Sequence, residues 1–287
     1  RNDAGGSLVS IFNKDSTPAF APFNLSSLAP GGSTVDGAGD PIVVYDELAN
    51  RWVMMEFSGP STTDPDEIYV YISQTSTPTN NPVDWSFFEF TFPVAGLGFP
   101  DYPKLSVWPD GYYITTNEAG SSDPPVYVLD RVNMLAGLTP RPFQRVTAPA
   151  LAGFGFQALT PIDLDGTTAP PTGNPGYQIR HRDDEAHNVG ANDATQDFIE
   201  LFEYSVDLDN AANSSFQLAA SIPVSEFDSD LNGLFAFNAI VQPGTTQQLD
   251  PLREVVMWRP SYRNFGTHES IVGSFVTDVD GTDHAGV

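Results

Sequence analysis

The sequence predicts an all-β fold, a β-propeller of roughly five to six four-stranded blades, with a two-sheet β-sandwich as the rival. Three observations carry this. Helical periodicity is nearly absent from the 287 residues. The apolar content is packed into short runs rich in Val, Ile, Tyr, Phe and Trp, each bounded by Gly, Pro, Asn or Asp. Those runs fall into groups of four that recur about every 45 residues, the period of a propeller blade.

The elements follow in order. A first group spans 40–93, through "PIVVY", "RWVMMEF", "EIYVYIS" and "WSFFEFTF". The second, 101–147, holds "KLSVW", "GYYITTN" and "PVYVLD". Within it "DRVNMLAG", 130–137, is the best helical candidate, a turn or two ended by Gly137. The third starts near "QALTPIDLDG" and passes through "GYQIRHR" and "DFIELFEYSVDLD" to "SSFQLAASIP". Its segments "DGTTAPPTGNPG" and "DDEAHNVGANDATQD" read as long exposed loops. A fourth contains "REVVMWRPSYRNF", and a fifth begins at "HESIVGSFVTDVDG". Groups open alike, with a polar turn leading into an aromatic strand: "YDELANRWVMM", "WPDGYYITT", "LDPLREVVMW". Every blade meets the same packing problem, so the same phrase recurs. The 24 glycines and 25 prolines are spread too evenly to mark a linker, and one domain over 1–287 is expected. The chain opens "RNDAGG" without an apolar leader, and stops at "DHAGV" as another strand begins. A piece of a larger protein is therefore expected, its propeller closed by the N-terminal run "SLVSIFN" or by sequence outside the chain.

Composition excludes several function classes. Acidic residues number 37 against 12 basic ones, a net charge of −25, so nucleic acid is repelled. Such a surface suits solubility in a salty or extracellular setting. No apolar run approaches the ~20 residues of a membrane-spanning helix. With no cysteine there are no disulfides, thiolate nucleophiles or Cys-bound metals. The four histidines, His181, His187, His268 and His284, lack zinc spacing.

The stretches "GDPIVVYDELANRWVM", "FPDYPKLSVWPDGYYITTNE", "VYVLDRVNMLAG" and "YRNFGTHESIVGSFVTDVDGTDHAGV" resemble the sialidase-like β-propeller domains of bacterial secreted and cell-surface proteins. The resemblance runs from about residue 39 onward. It implies a propeller and a secreted or surface location, and it brings no catalytic residues with it. The S-x-D-x-G-x-T-W boxes of true sialidases are missing, and only Arg180 and Arg182 form a tight arginine pair.

Two constellations carry candidate chemistry. "GDPIVV" looks like the opening of five-bladed glycosidases, with Asp40 as base and Asp101 in a similar place one unit later. Glu269 in "THESIVG" or Glu118 in "TTNEAG" supplies the acid in that scheme, since glycoside hydrolysis needs two carboxyls flanking the bond. Asp-Pro is also ordinary turn chemistry ahead of a strand. The second constellation is cationic. "DVDGTD" offers Asp278, Asp280 and Asp283 around Gly281, and "DLDG" offers Asp163 and Asp165 before Gly166, both suited to calcium. "DLDN" at 207–210 and "DSDLNG" at 228–233 are further acidic turns. Plain turns in which Asp bonds its own backbone account for the same letters.

The expected function is an extracellular, non-catalytic binding or structural module with calcium-stiffened loops, adhesive in character. Its partners are a polysaccharide, a surface protein, or other domains of its parent. The alternative is a glycosidase-type hydrolase with carboxylates at the propeller funnel.

Overall fold

The computed structural model describes residues 2–3, 6–31, 35–59, 66–92, 98–118, 123–151, 158–187, 195–233, 238–253 and 255–287. A small N-terminal sheet holds β1 (Asn2–Asp3), β2 (Gly6–Val9) and β3 (Phe23–Asn24). The run expected to close a propeller therefore pairs with its own neighbours. A four-stranded meander follows: β4 (Gly37–Asp46), β5 (Arg51–Ser58), β6 (Glu67–Ser73) and β7 (Trp85–Thr91). A second joins β8 (Pro100–Val107), β9 (Tyr112–Glu118), β10 (Pro125–Leu129) and β11 (Gln144–Thr147), with the short helix α1 (Arg131–Leu135) between the last two. The third is assembled from β12 (Thr160–Pro161), β14 (Gly176–Arg182), β15 (Gln196–Ser205) and β16 (Ser215–Ser225). The intervening β13 (Asp163–Leu164) leaves it to pair in parallel with β17 (Ser261–Asn264), which pairs with β18 (Glu269–Val272). A second helix, α2 (Asp184–His187), links β14 to β15, and β19 (Thr277–Asp278) pairs with β20 (Ala285–Gly286).

The fold is all-β and propeller-like. In each meander the hydrogen-bonded order follows the chain order, as in a propeller blade, whereas a sandwich pairs strands by Greek-key crossings. The described strands make three four-stranded sheets, two three-stranded sheets and one pair. Contacts divide the chain into two compact units where one domain is expected. Residues 1–121 with 128–143 form the first, and residues 122–127 with 144–287 the second.

In the first unit, β5 and β6 are buried along nearly their whole length, because sheet or loop covers both faces. That is why they read as continuous apolar runs and not as alternation. In the first copy of the turn phrase the aspartate has a structural task. Asp46 Oδ1 accepts the Ala49 amide at 3.0 Å and so caps the β4–β5 turn. Its carboxylate also takes a two-pronged ion pair from Arg131 at 2.7 and 2.8 Å, and the Tyr112 hydroxyl at 3.1 Å. One aspartate thus ties β4, β9 and α1 together. Asp130 caps α1 through the Asn133 amide and is clasped by the Arg141 guanidinium at 2.7 and 2.8 Å. Gly137 takes φ +66 just after the helix, the left-handed stop its position predicts.

In the second unit, "LDPLREVVMW" departs from expectation. Residues 250–253 and 255–258 form no strand, although Val255 and Val256 are buried. Their backbone groups are met piecemeal. Thr160 Oγ1 donates to the Val256 carbonyl at 2.7 Å, the Met257 amide donates to Ser274 O at 2.8 Å, and His181 Nε2 contacts the Arg253 carbonyl at 2.6 Å. Two side chains and one remote main-chain carbonyl here do the work that a ladder does elsewhere.

Candidate functional site

The register of the β14–β15 hairpin builds the main candidate site. Arg182 pairs with Phe198, so the next position on each side sets Asp183 opposite Asp197. Asp183 Oδ1 caps α2 through the Ala186 amide at 2.9 Å, while Oδ2 accepts the Ser229 amide at 2.9 Å and its hydroxyl at 2.8 Å. Asp197 accepts the Asp184 amide at 2.9 Å and the Phe227 amide at 2.8 Å, one on each oxygen. Both aspartates are buried. The first turn of α2 then brings Glu185 to the rim. One oxygen from each of Asp183, Glu185 and Asp197 falls within 4.8 Å of the others. Among the described residues no basic group donates to either Glu185 oxygen, and the Asp184 carboxyl lies beside them.

The electrostatics are one-sided. Arg180 and Arg182 both spend their charge on Glu200, at 2.6 and 2.8 Å. Among the described residues no Arg or Lys pairs with Asp183, Glu185 or Asp197. Burial pushes the Asp197 and Glu185 carboxyls up. Glu226 is pushed up to about 7, first by desolvation and then by the surrounding Asp197, Glu185, Asp183 and Asp184. His181 falls to about 4 and His187 is also lowered, both chiefly by burial, so they add little positive charge. Three convergent carboxylate oxygens with no basic partner among the described residues are compatible with a hard divalent cation, although the Asp183 and Asp197 oxygens also serve backbone amides.

Comparison of the chain with family models, with curated proteins and with solved structures finds no match. The site therefore has to speak through its own geometry.

The loops expected to hold calcium are arranged differently. Asp278 accepts the Asp280, Gly281 and Asp283 amides at 3.0, 3.0 and 2.9 Å. Asp280 accepts the Thr282 amide at 3.1 Å and also contacts His284 Nδ1 at 3.2 Å, while Asp283 accepts the Asn232 amide at 2.7 Å. These are Asx turns in which each carboxylate serves the backbone. Asp163 and Asp165 meet guanidinium instead: Arg259 Nε lies 3.1 Å from Asp163, and Arg263 Nη1 lies 3.2 Å from Asp165. The charge of that pair is already balanced by arginine. Neither loop gathers three carboxylate oxygens as the Asp183 group does.

The candidate catalytic residues divide between the two units. Asp40 and Asp101 lie on β4 and β8, the first strands of successive sheets, each beside a break in register. Asp40 itself takes φ +44, and Tyr102 takes φ +53. Burial raises Asp40, while Lys104 lowers it and Asp101 raises it. Lys104 is pulled down to about 8 by burial, against the opposing pull of both aspartates. Its Nζ lies 3.4 Å from the Tyr102 ring centroid and donates to Pro103 O at 3.1 Å. Asp101 Oδ1 accepts the Tyr102 amide at 2.9 Å, and Glu118 is buried beside the Thr116 hydroxyl at 3.4 Å. Glu269 belongs to the second unit, where it accepts the Tyr262 hydroxyl at 2.7 Å and the Asn174 amide group at 3.0 Å.

Sequence reasoning missed the Asp183 group because "DDEAHNVGANDATQD" looks like an exposed acidic loop. Asp183, Asp184, His187 and Asp197 are buried; residues 188–194 lie outside the described residues. The legible signal was the Asp after "GYQIRHR" together with the Asp before "FIELFEY", which close one hairpin. Lys104, one of only two lysines, was likewise passed over.

Proposed function

We propose that the chain is an extracellular, non-catalytic binding or structural module of a bacterial secreted or cell-surface protein, a β-propeller of five to six blades stabilised by calcium. The sialidase-like resemblance supports the setting. The observation that carries the cation is the convergence of Asp183, Glu185 and Asp197 within 4.8 Å, with no basic partner among the described residues. An ion there locks α2 to the end of β14–β15 and stiffens the loop through Phe227 and Ser229. The role is structural: no open position beside a nucleophile is needed. Calorimetric titration of metal-free protein with calcium tests it. One site with heat of binding, lost in Glu185→Gln, is expected; absence of heat in the native chain contradicts the reading.

A second reading keeps the hydrolase, because Asp40, Asp101 and Lys104 influence one another on bulged first strands. The raised Asp40 suits the proton-carrying acid better than the base expected from its position in the sequence. Release of reducing sugar from neutral polysaccharides, abolished in Asp40→Asn, supports this reading. No release from a broad panel removes it.

A further inference from the structure

We propose that β16 is a docking edge for an extended segment of another protein, neutral and strand-forming at its centre and rich in Lys or Arg at both ends. The inference rests on the binding-module reading and gives it a polypeptide partner, along the outer edge of the strand whose Val224 pairs with Asp197.

The edge is open. β16 ends the order β12-β14-β15-β16, and its eleven residues are mostly exposed on both faces. Leu218 and Ile222 are 48% and 47% exposed. An edge strand offers a row of main-chain donors and acceptors, and natural proteins blunt such rows with charge, covering segments or brevity. The other two meanders do so. The outer strand β7 carries Glu89 and lies against α1, while β11 is only four residues long and carries Arg145. The stretch "SFQLAASIPVS" has no charged side chain at all, and its row is interrupted by Pro223 and by the bulge at Ala219. Spanning about 36 Å, it is long enough to template a whole added strand.

Both faces offer grip. Pairing sets Leu218 across from Phe202, whose ring stacks on Phe216 at 5.6 Å, while Ile222 lies across from Ile199 on the opposite face. An added strand with alternating side chains meets an apolar neighbour on each side of the sheet.

Charge decides the occupant. Asp207 and Asp209 precede the strand, and Asp228 and Asp230 follow it. A second copy paired antiparallel sets the leading acids of one chain against the trailing acids of the other. Parallel pairing sets like against like, and every copy carries −25 overall. Self-association is therefore opposed at both ends, while a strand flanked by basic residues is drawn to both.

The test uses a labelled peptide with an alternating Val/Thr core between Lys-Lys flanks. Binding is followed by fluorescence anisotropy in chelator, so that cations do not mask the flanks. The native chain is expected to bind it. Leu218→Lys and Ile222→Lys, both at half-exposed positions, are each expected to weaken binding ten-fold or more with the circular dichroism spectrum unchanged. Ser-Ser flanks or ~0.5 M salt should weaken it similarly, and two prolines in the core should abolish it. No binding to the native chain overturns the proposal, and so does equal binding by both lysine variants. A dimer in sedimentation that Ile222→Lys dissolves also overturns it, because the occupant is then a second copy. Calcium titration is a separate readout, so failure here leaves the cation reading standing.

Discussion

Single aspartates hold this molecule together, and each does so by a different balance. Asp46 is fully buried with Arg131 nearly so, and the pair is completed by Tyr112 and the Ala49 amide. Removing one partner of such a pair leaves a buried guanidinium uncompensated. Asp46→Ala is expected to cost about 3–5 kcal/mol in urea unfolding, far more than an exposed ion pair. A loss below 1 kcal/mol would mean that the pair is not a tie. Asp130 works through titration. Arg141 holds its carboxyl down to about 2, below the ~3.9 of an unfolded chain. A folded value below the unfolded one stabilises fully above pH ~4 and fades as pH falls toward 2. Asp130→Asn should therefore shift the urea midpoint downward at pH 7, with the gap closing between pH 4 and 2. A gap independent of pH contradicts this.

At the scale of elements, strands were readable where burial imposed a pattern. β5 and β6 are covered on both faces and so appear as unbroken β-branched and aromatic runs; α1 was readable from Asp130 and Gly137. "REVVMW" carries the same letters, yet its backbone is satisfied by Thr160, Ser274 and His181, partners remote in sequence that no local pattern announces. The Asp183 group fails to show for a similar reason: Asp183 and Asp197 lie fourteen positions apart, and only hairpin register joins them. The acidic turns announced themselves loudly because Asx turns and calcium loops share an alphabet. Between elements, packing is tight at Gly37, where an added Cβ would overlap the carboxyl of fully buried Glu56. Gly37→Ala is expected to destabilise by about 1–3 kcal/mol, because Glu56 cannot swing into water. Unchanged thermal stability of that variant would show that the β4–β5 approach relaxes freely.

Across the whole molecule, a net charge of −25 works against compactness, and burial raises several of the carboxyls involved, Asp197, Glu185 and Glu226 among them. Under the proposed reading, a divalent cation held by Asp183, Glu185 and Asp197 would relieve part of that repulsion. A cation that bound the folded chain selectively would add stability in proportion to the logarithm of its concentration above Kd. The most direct measurement is thermal unfolding of the native chain and of Glu185→Gln, each in excess calcium and then in chelator. The account predicts a midpoint several degrees higher in calcium for the native chain and no difference for the variant. Equal midpoints for the native chain in the two buffers would contradict it.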